Sequence, residues 1–364
     1  MMATRTVVFV GAGTAGHIEP ALAVARAWKE KHPNDYCIFL GTPTGLENTL
    51  VPAAGFELHN IEKVVMPRSL NLELVKAPFR LGQAVLSAKR IIDGTDLLIG
   101  FGGYASASAY LAARMVKVPF VVHEANAKPG WANRLGASLT KYVAVARPVG
   151  SARFSHARVT GLPLRADVRA AFKNASQDWH QARIRAKTDL GWSLDHPTVL
   201  ILGGSLGSTY INSQILKALP FFKEKKIQIL HSVGAKNLLP ESCDNYKAVP
   251  YISDMATAYL AADVTIARSG AVTCAEFGAL GRMAVFVPLP VGNGEQARNA
   301  DQLVSVGRAI VLPQKAFSHV WLEENFATVI EQSNRCPESG LSQDMESEER
   351  IIELMEIALQ GGGA

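Results

Sequence analysis

Short apolar runs alternate along this chain with longer stretches in which apolar residues recur at helical spacing. From Thr6 the run TVVFV is a β-branched strand, GAGTAGH after it is a turn, and PALAVARAWKEK carries a helical pattern behind a proline suited to a first helical turn. The same order returns from Pro197, with TVLIL as a buried strand, GGSLGS as a turn, and a helix with apolar positions at Ile211, Ile215, Leu216 and Leu219. A second echo sets DLLIGFGGYASASAYLAARMVKVPFVVHE beside DVTIARSGAVTCAEFGALGRMAVFVPLP, each a strand, a glycine turn, a small-residue helix and another strand. This alternation predicts an α/β fold of two Rossmann-like halves, with parallel sheets, right-handed crossovers and ligands beyond the carboxyl ends of the strands.

Pro148, Gly150, Gly161 and Pro163 punctuate a stretch of little periodicity, which sets an expected boundary at about residue 155. The domains expected are 1–155 and 156–349, with an amphipathic last helix at about 350–361 packing back on the first. Residues 166–196 are polar and basic at helical spacing but lack interleaved aromatics, which favours a solvated helix over a nucleic-acid surface. A length of 364 residues agrees with two domains of ordinary size.

Composition narrows the class further. With 48% hydrophobic and 19% charged residues the chain is neither disordered nor a secreted scaffold, and Cys37, Cys243, Cys274 and Cys336 are too scattered for a zinc site or a disulfide framework. A reducing cytosol is expected. The start, MMATRTVVFVGAG, passes directly into a strand without the apolar segment of a leader, and no apolar run approaches the roughly 20 residues of a membrane-spanning helix. A net charge of +5 suits anionic partners such as phosphate or acidic lipid. Leu70, Val75, Phe79 and Leu81 stand among Arg68, Lys76, Arg80, Lys89 and Arg90, a pattern that fits an interfacial patch on anionic membrane and equally the core face of a basic helix.

Chemistry concentrates in the glycine turns. Gly11, Gly13 and Gly16 have the GxGxxG spacing of a dinucleotide site, yet where that site needs an acid at the end of the second strand CIFLGTPTGLE has Leu40, Gly41 and Thr42. His17 follows the turn at a helix start, where a titratable ring can touch a ligand hydroxyl and the positive helix end lowers its pKa. Gly203, Gly204, Ser205 and Gly207 fit either a diphosphate-binding loop or a plain tight turn. Arg268, Ser269, Gly270 and Thr273 open another helix, with Glu276 one turn on, suited to accept the hydroxyls of a ribose. Arg165 is suited to a phosphate or to the surface.

Taken in order, GAGTAGHIEPALAVA, FGGYASASAYLAA, HEANAKPGWAN, GLPLRADV, GGSLGS, ISDMATAYLAADVTIARSGAVTCAEFGALG and GNGEQARNA resemble the successive motifs of the MurG family, from about residue 7 to about 312. The resemblance implies the GT-B architecture, two Rossmann-like domains facing across a cleft, and inverting transfer of N-acetylglucosamine from UDP-GlcNAc to the C4 hydroxyl of the lipid I sugar, giving lipid II. It implies that Thr14, Ala15, Gly16 and Asn126 reach the sugar side, that Arg165 and Ser205 hold phosphate, and that Ile252, Ala271, Val272, Thr273, Cys274, Ala275 and Glu276 hold uridine. Gln296 matches a glutamine directed at the sugar hydroxyls. Glu295 departs from the family's paired glutamines, and Ala12 and Ala15 stand where its first loop has glycines.

Inversion in one step needs a base on the acceptor side, for which His17 comes first and Glu124 and Glu19 follow. The chain lacks a DxD pair, so neither a metal nor another cofactor is expected. The expected location is the cytoplasmic face of the membrane, bound peripherally. An NAD-dependent oxidoreductase and a nucleotide-sugar epimerase or transferase with another acceptor are the rival classes.

Overall fold

The computed structural model describes residues 4–62, 72–204, 206–291 and 294–361, and of residues 72–78 the backbone alone. Ser205, Arg68 and Leu70 lie outside the described residues, as do the side chains of Val75 and Lys76. The chain forms two compact units, residues 1–165 with 343–364, and residues 166–342.

The first unit contains β1 (Thr6–Val10), α1 (Ala15–Lys31), β2 (Tyr36–Gly41), α2 (Glu47–Ala53), β3 (Glu57–Asn60), α3 (Leu72–Ile92), β4 (Leu97–Gly100), α4 (Tyr104–Val116), β5 (Phe120–Glu124), α5 (Trp131–Ala137), β6 (Val143–Val145) and β7 (Arg158–Val159). Its strands pair in parallel in the order β3-β2-β1-β4-β5-β6-β7. The unbroken run TVVFV follows from burial on both faces. Val7 and Phe9 pack toward α1 with Ala21, Leu22, Ala25 and Trp28, while Val8 and Val10 pack toward α3 and α4 with Ala88, Ile92, Ala105 and Ala109. Leu81 also turns toward this second core rather than joining an exposed patch.

The second unit contains α6 (Ala166–Ala175), α7 (Trp179–Asp189), β8 (Thr198–Leu202), α8 (Thr209–Glu224), β9 (Gln228–Ser232), β10 (Tyr246–Val249), α9 (Met255–Ala261), β11 (Val264–Ala267), α10 (Ala271–Leu280), β12 (Met283–Phe286), α11 (Gln296–Asn299), α12 (Asp301–Ser305), β13 (Ala309–Val311) and α13 (His319–Arg335). Its parallel order, β10-β9-β8-β11-β12-β13, repeats that of the first six strands of the first unit. In α8 the core face is Ile211, Ile215, Ala218 and Phe222, whereas Leu216 is exposed. The last helix, α14 (Ser347–Gln360), belongs to the first unit and lays Ile351, Ile352, Leu354 and Met355 on the core beside Trp28.

Two boundaries differ from the sequence reading. The first unit continues past residue 155 because Arg158–Val159 adds an edge strand to β6, too short to leave a periodic signal. Asp344 closes this corner: it accepts from Arg147 at 2.8 and 2.6 Å and from Leu162 N–H at 2.8 Å. Helix α1 starts at Ala15, so Pro20 lies inside it instead of opening it. Its ring stands in the second turn, where the missing N–H leaves a single carbonyl, that of Gly16, without its helical donor.

Candidate active site

In each sheet the strand order reverses at one place, between β1 and β4 and again between β8 and β11, and the loops leaving those strands define where a ligand is received. In the first unit the two loops touch. A Cβ on Gly103 would stand 2.5 Å from Ala12 O, and one on Gly11 would stand 2.5 Å from His17 O, so glycine is needed for backbone to approach backbone.

His17 emerges from this contact in the first turn of α1. Its Nδ1 lies 3.2 Å from Ala12 O and 3.3 Å from Thr14 Oγ1. A carbonyl oxygen only accepts, so Nδ1 carries the proton and Nε2 keeps its lone pair. Nε2 flanks Gly102, where an added Cβ would come within 3.3 Å of both Nε2 and Asn133 Nδ2. Burial pushes the imidazole below its ordinary value of 6.5, against the upward pull of Glu124, the Ala12 carbonyl and Glu47. Desolvation, rather than the helix end, is thus the leading cause of its neutrality.

Glu124 ends β5 and is only 3% exposed. Its Oε1 accepts from the Asn126 N–H at 2.9 Å and Asn126 Nδ2 at 3.1 Å, and its Oε2 from Gly130 N–H at 3.0 Å and Asn133 Nδ2 at 3.1 Å. The carboxylate therefore ties the loop after β5 to α5. Asn133 is held in turn by the Tyr110 hydroxyl, which donates to its Oδ1 at 2.9 Å. His123, one residue earlier in the strand, points to the opposite face, and its Nε2 donates to Gly161 O at 3.1 Å. Burial pushes His123 down to about 4, which makes it a neutral core group. Thr14 is exposed, and Ala15, Gly16 and Asn126 are partly exposed around the same loops.

In the second unit Gly204 and Gly207 have φ of +86° and +74°, and a Cβ on Gly207 would lie 2.0 Å from Val233 O. The turn that bends β8 into α8 thus demands glycine whatever it binds. Ser208 caps α8, accepting from Ile211 N–H at 3.3 Å. Ala271, Val272 and Thr273 are partly exposed at the start of α10, whereas Cys274, Ala275 and Glu276 are buried in its following turn. Ile252 is buried in the loop after β10, and Arg165, partly exposed, is the last residue of the first unit before the chain crosses. Gln296 opens α11 and accepts from Leu289 N–H through Oε1 at 3.0 Å.

Arg268 is visible in the sequence only as part of a helix opening, and Asn133 and Glu47 are not singled out there. Arg268 reaches the carbonyls of Val287 and Pro288 at 3.0 and 3.1 Å, Ser208 Oγ at 2.9 Å and Gln314 Oε1 at 2.7 Å, and so joins loops at the ends of β8, β11, β12 and β13. Asn133 links Glu124 to the His17 side. Glu47 is wholly buried and bonded to the first glycine loop. The clue to Glu47 is GTPTGLE, an acid behind two glycines at the start of a helix. Among the described residues no group of three His, Cys, Asp or Glu side chains is placed to hold a metal ion, and no helix is long and apolar enough to cross a membrane.

Comparison with known proteins likewise finds two successive domains in the chain. The glycosyltransferase family 28 N-terminal domain matches residues 7–145 and the family 28 C-terminal domain residues 198–355. The UDP-N-acetylglucosamine--N-acetylmuramyl-(pentapeptide) pyrophosphoryl-undecaprenol N-acetylglucosamine transferase of Paenarthrobacter aurescens (strain TC1) is 41% identical over 341 residues, 92% of this chain and 90% of that protein. The transferase of the same name from Corynebacterium glutamicum (strain R) is 47% identical over 305 residues, covering 83% of each. The chain belongs to the MurG family. The crystal structure of Acinetobacter baumannii MurG superposes with a TM-score of 0.71 at 28% identity, covering 97% of this chain and 99% of that one, so the fold is GT-B. Membership removes the oxidoreductase reading of the first glycine loop. The physical counterpart is that Glu47, the acid nearest the end of β2, turns back onto Gly13 and Thr42 and offers no carboxylate to a ribose.

Proposed function

We propose that this MurG-family chain transfers N-acetylglucosamine from UDP-GlcNAc to the C4 hydroxyl of the N-acetylmuramyl sugar of lipid I, with inversion, and releases UDP and lipid II. The carrying observation is the neutral His17, with Nδ1–H on the Ala12 carbonyl and an unprotonated Nε2 beside the meeting of two glycine loops. Nε2 takes the proton of the acceptor hydroxyl as its oxygen attacks the anomeric carbon. The bond from that carbon to the diphosphate oxygen breaks on the opposite side, and UDP leaves with the electron pair. Glu124, with both oxygens engaged by donors, acts as the anchor of the acceptor loops rather than as the base. Leaving-group charge falls on the loop 203–208, Ser205 and Arg165, as stabilisation by preorganised donors.

Uridine lies along Ile252 and residues 271–276, with the ribose diol on Glu276. Gln296, whose carbonyl end already accepts from Leu289, turns its NH2 to the sugar. Replacing Glu276 with alanine is expected to weaken UDP binding by about 1.5–3 kcal/mol, the range for a hydrogen bond to a charged group. Calorimetry that finds UDP affinity unaltered would remove the assignment.

The membrane patch and the peripheral placement at the cytoplasmic face belong to the same reading. Phe79 and Leu86 are 71% and 53% exposed on α3, with Arg80 and Arg90 exposed on that helix and Met115 exposed on the neighbouring α4. An apolar stripe among bases adheres to anionic lipid. The direct test of the function is UDP release by the purified protein supplied with UDP-GlcNAc and a lipid I analogue. Release that does not depend on the analogue, or exchange of UDP-GlcNAc for an epimer, would overturn it.

A further inference from the structure

Glu47 is a fully buried carboxylate of the first unit that the mechanism above leaves unused. It is 0% exposed. Oε1 accepts from Thr42 N–H and Thr42 Oγ1–H, both at 2.8 Å, and Oε2 accepts from Gly13 N–H at 2.9 Å. Room is reserved for this side chain, because a Cβ on Gly41 would stand 2.6 Å from its Cγ and one on Gly45 would stand 1.9 Å from Oε2. A lone carboxylate needs no such cradle to stabilise a surface loop, and an apolar side chain would fill the space without the cost of desolvating a charge.

The N–H that Glu47 receives and the carbonyl that His17 contacts belong to one peptide, the unit joining Ala12 to Gly13. A trans peptide points its N–H and its C=O in opposite directions. One side of this plane meets the carboxylate at 2.9 Å and the other meets His17 Nδ1 at 3.2 Å. Gly13, with φ of +93°, sets the plane, and the backbone of Gly103 closes over Ala12 O. A negative charge on the N–H side polarises the peptide and makes Ala12 O a stronger acceptor, as in any chain of hydrogen bonds in a low dielectric.

We propose that Glu47 is a positioning residue for His17, acting through the Ala12–Gly13 peptide to hold the Nδ1–H tautomer, aim Nε2 and raise its basicity. The role parallels the carboxylate that orients a histidine in metal sites and triads, with one peptide interposed. Two carboxylates face His17, Glu124 from the end of β5 and Glu47 from α2, and of the two Glu47 is the one bonded to its acceptor peptide. The inference rests on the reading of His17 as the base only for its effect on rate.

The experiment is a titration of the His17 ring by NMR in the full-length protein, in parallel with the pH dependence of kcat/KM, for the parent and Glu47→Gln. Loss of the charge and of the polarised acceptor is expected to move the His17 pKa further below 6.5 and to lower kcat by about tenfold to a hundredfold, with KM for UDP-GlcNAc within about twofold. If Glu47 merely props the loop, removing it exposes the ring, and the pKa rises toward 6.5. A rise, or no movement, overturns the proposal. Should Glu47→Gln not fold, Glu47→Asp keeps the charge while withdrawing it from Gly13 N–H, and a smaller downward movement is expected, with a rise or none again overturning it. A His17 pKa that falls while the acid limb of the rate profile stays in place upholds the role of Glu47 and overturns the base reading instead.

Discussion

Turnover of His17→Ala falls by about a hundredfold or more while UDP affinity stays nearly that of the parent. The size follows from general-base catalysis, which contributes about a hundredfold to ten-thousandfold when the base is placed on the reacting proton. The selectivity follows from location, since His17 stands in the first unit and the loops proposed to bind uridine stand in the second. The sign of the pH dependence follows from the direction of its pKa. A base works unprotonated, so kcat/KM is level above the His17 pKa and falls tenfold per unit below it, and because burial depresses that pKa the fall begins below 6.5. Single-turnover kinetics with saturating donor measure the first effect and calorimetry with UDP the second. Turnover near that of the parent would move the role to Glu124 or Glu19. A loss of UDP affinity as large as the loss of rate would make His17 a donor-binding or structural residue.

Arg268→Ala is expected to cost the second unit about 3–5 kcal/mol of stability, a large part of what a domain possesses. Arg268 is 8% exposed and its guanidinium donates to four oxygens, two of them main-chain carbonyls past β12. Truncation leaves the buried Val287 carbonyl and the partly exposed Pro288 and Gln314 oxygens without this donor, at about 1–3 kcal/mol for each that water does not reach, while Ser208 Oγ keeps the Ile211 N–H. Because Ser208 caps α8 and shares Arg268, the loop proposed to hold the diphosphate is expected to loosen with it, and UDP affinity should drop at least tenfold, about 1.4 kcal/mol. Urea unfolding and calorimetry on the same preparation check both figures. A midpoint and an affinity equal to those of the parent would show that Arg268 is a passive filler.

The strands were the most legible part of the chain. TVVFV and TVLIL are unbroken apolar runs because both sheet faces are covered, and the glycine turns that follow them mark the two switch points. What stayed hidden depends on distance in sequence. Glu47 and Gly13 are 34 residues apart, and Arg268 and Gln314 are 46 apart, so no local pattern announces either bond. Glu124 is visible in the sequence as an alternative base, but its four donors come from a loop and a helix that only the fold brings around it. Edge strand β7 and the start of α1 escaped for a local reason. Two residues are too few to show a period, and Pro20 looked like an opening because its fixed φ suits the first turn as well as the second.

The passage of the chain out of the first unit and back through α14 sets an order on its biosynthesis. When the ribosome has made residue 342, the second unit has all of its own strands and helices, whereas the first still shows water the face that Ile351, Ile352, Leu354 and Met355 will cover. Each of those side chains is worth about 1.5–3 kcal/mol when fully buried, so together they match the entire net stability of a typical domain. The half that is translated first is therefore the half that finishes folding last, and a fragment cut at residue 165 would carry an uncovered apolar groove into solution.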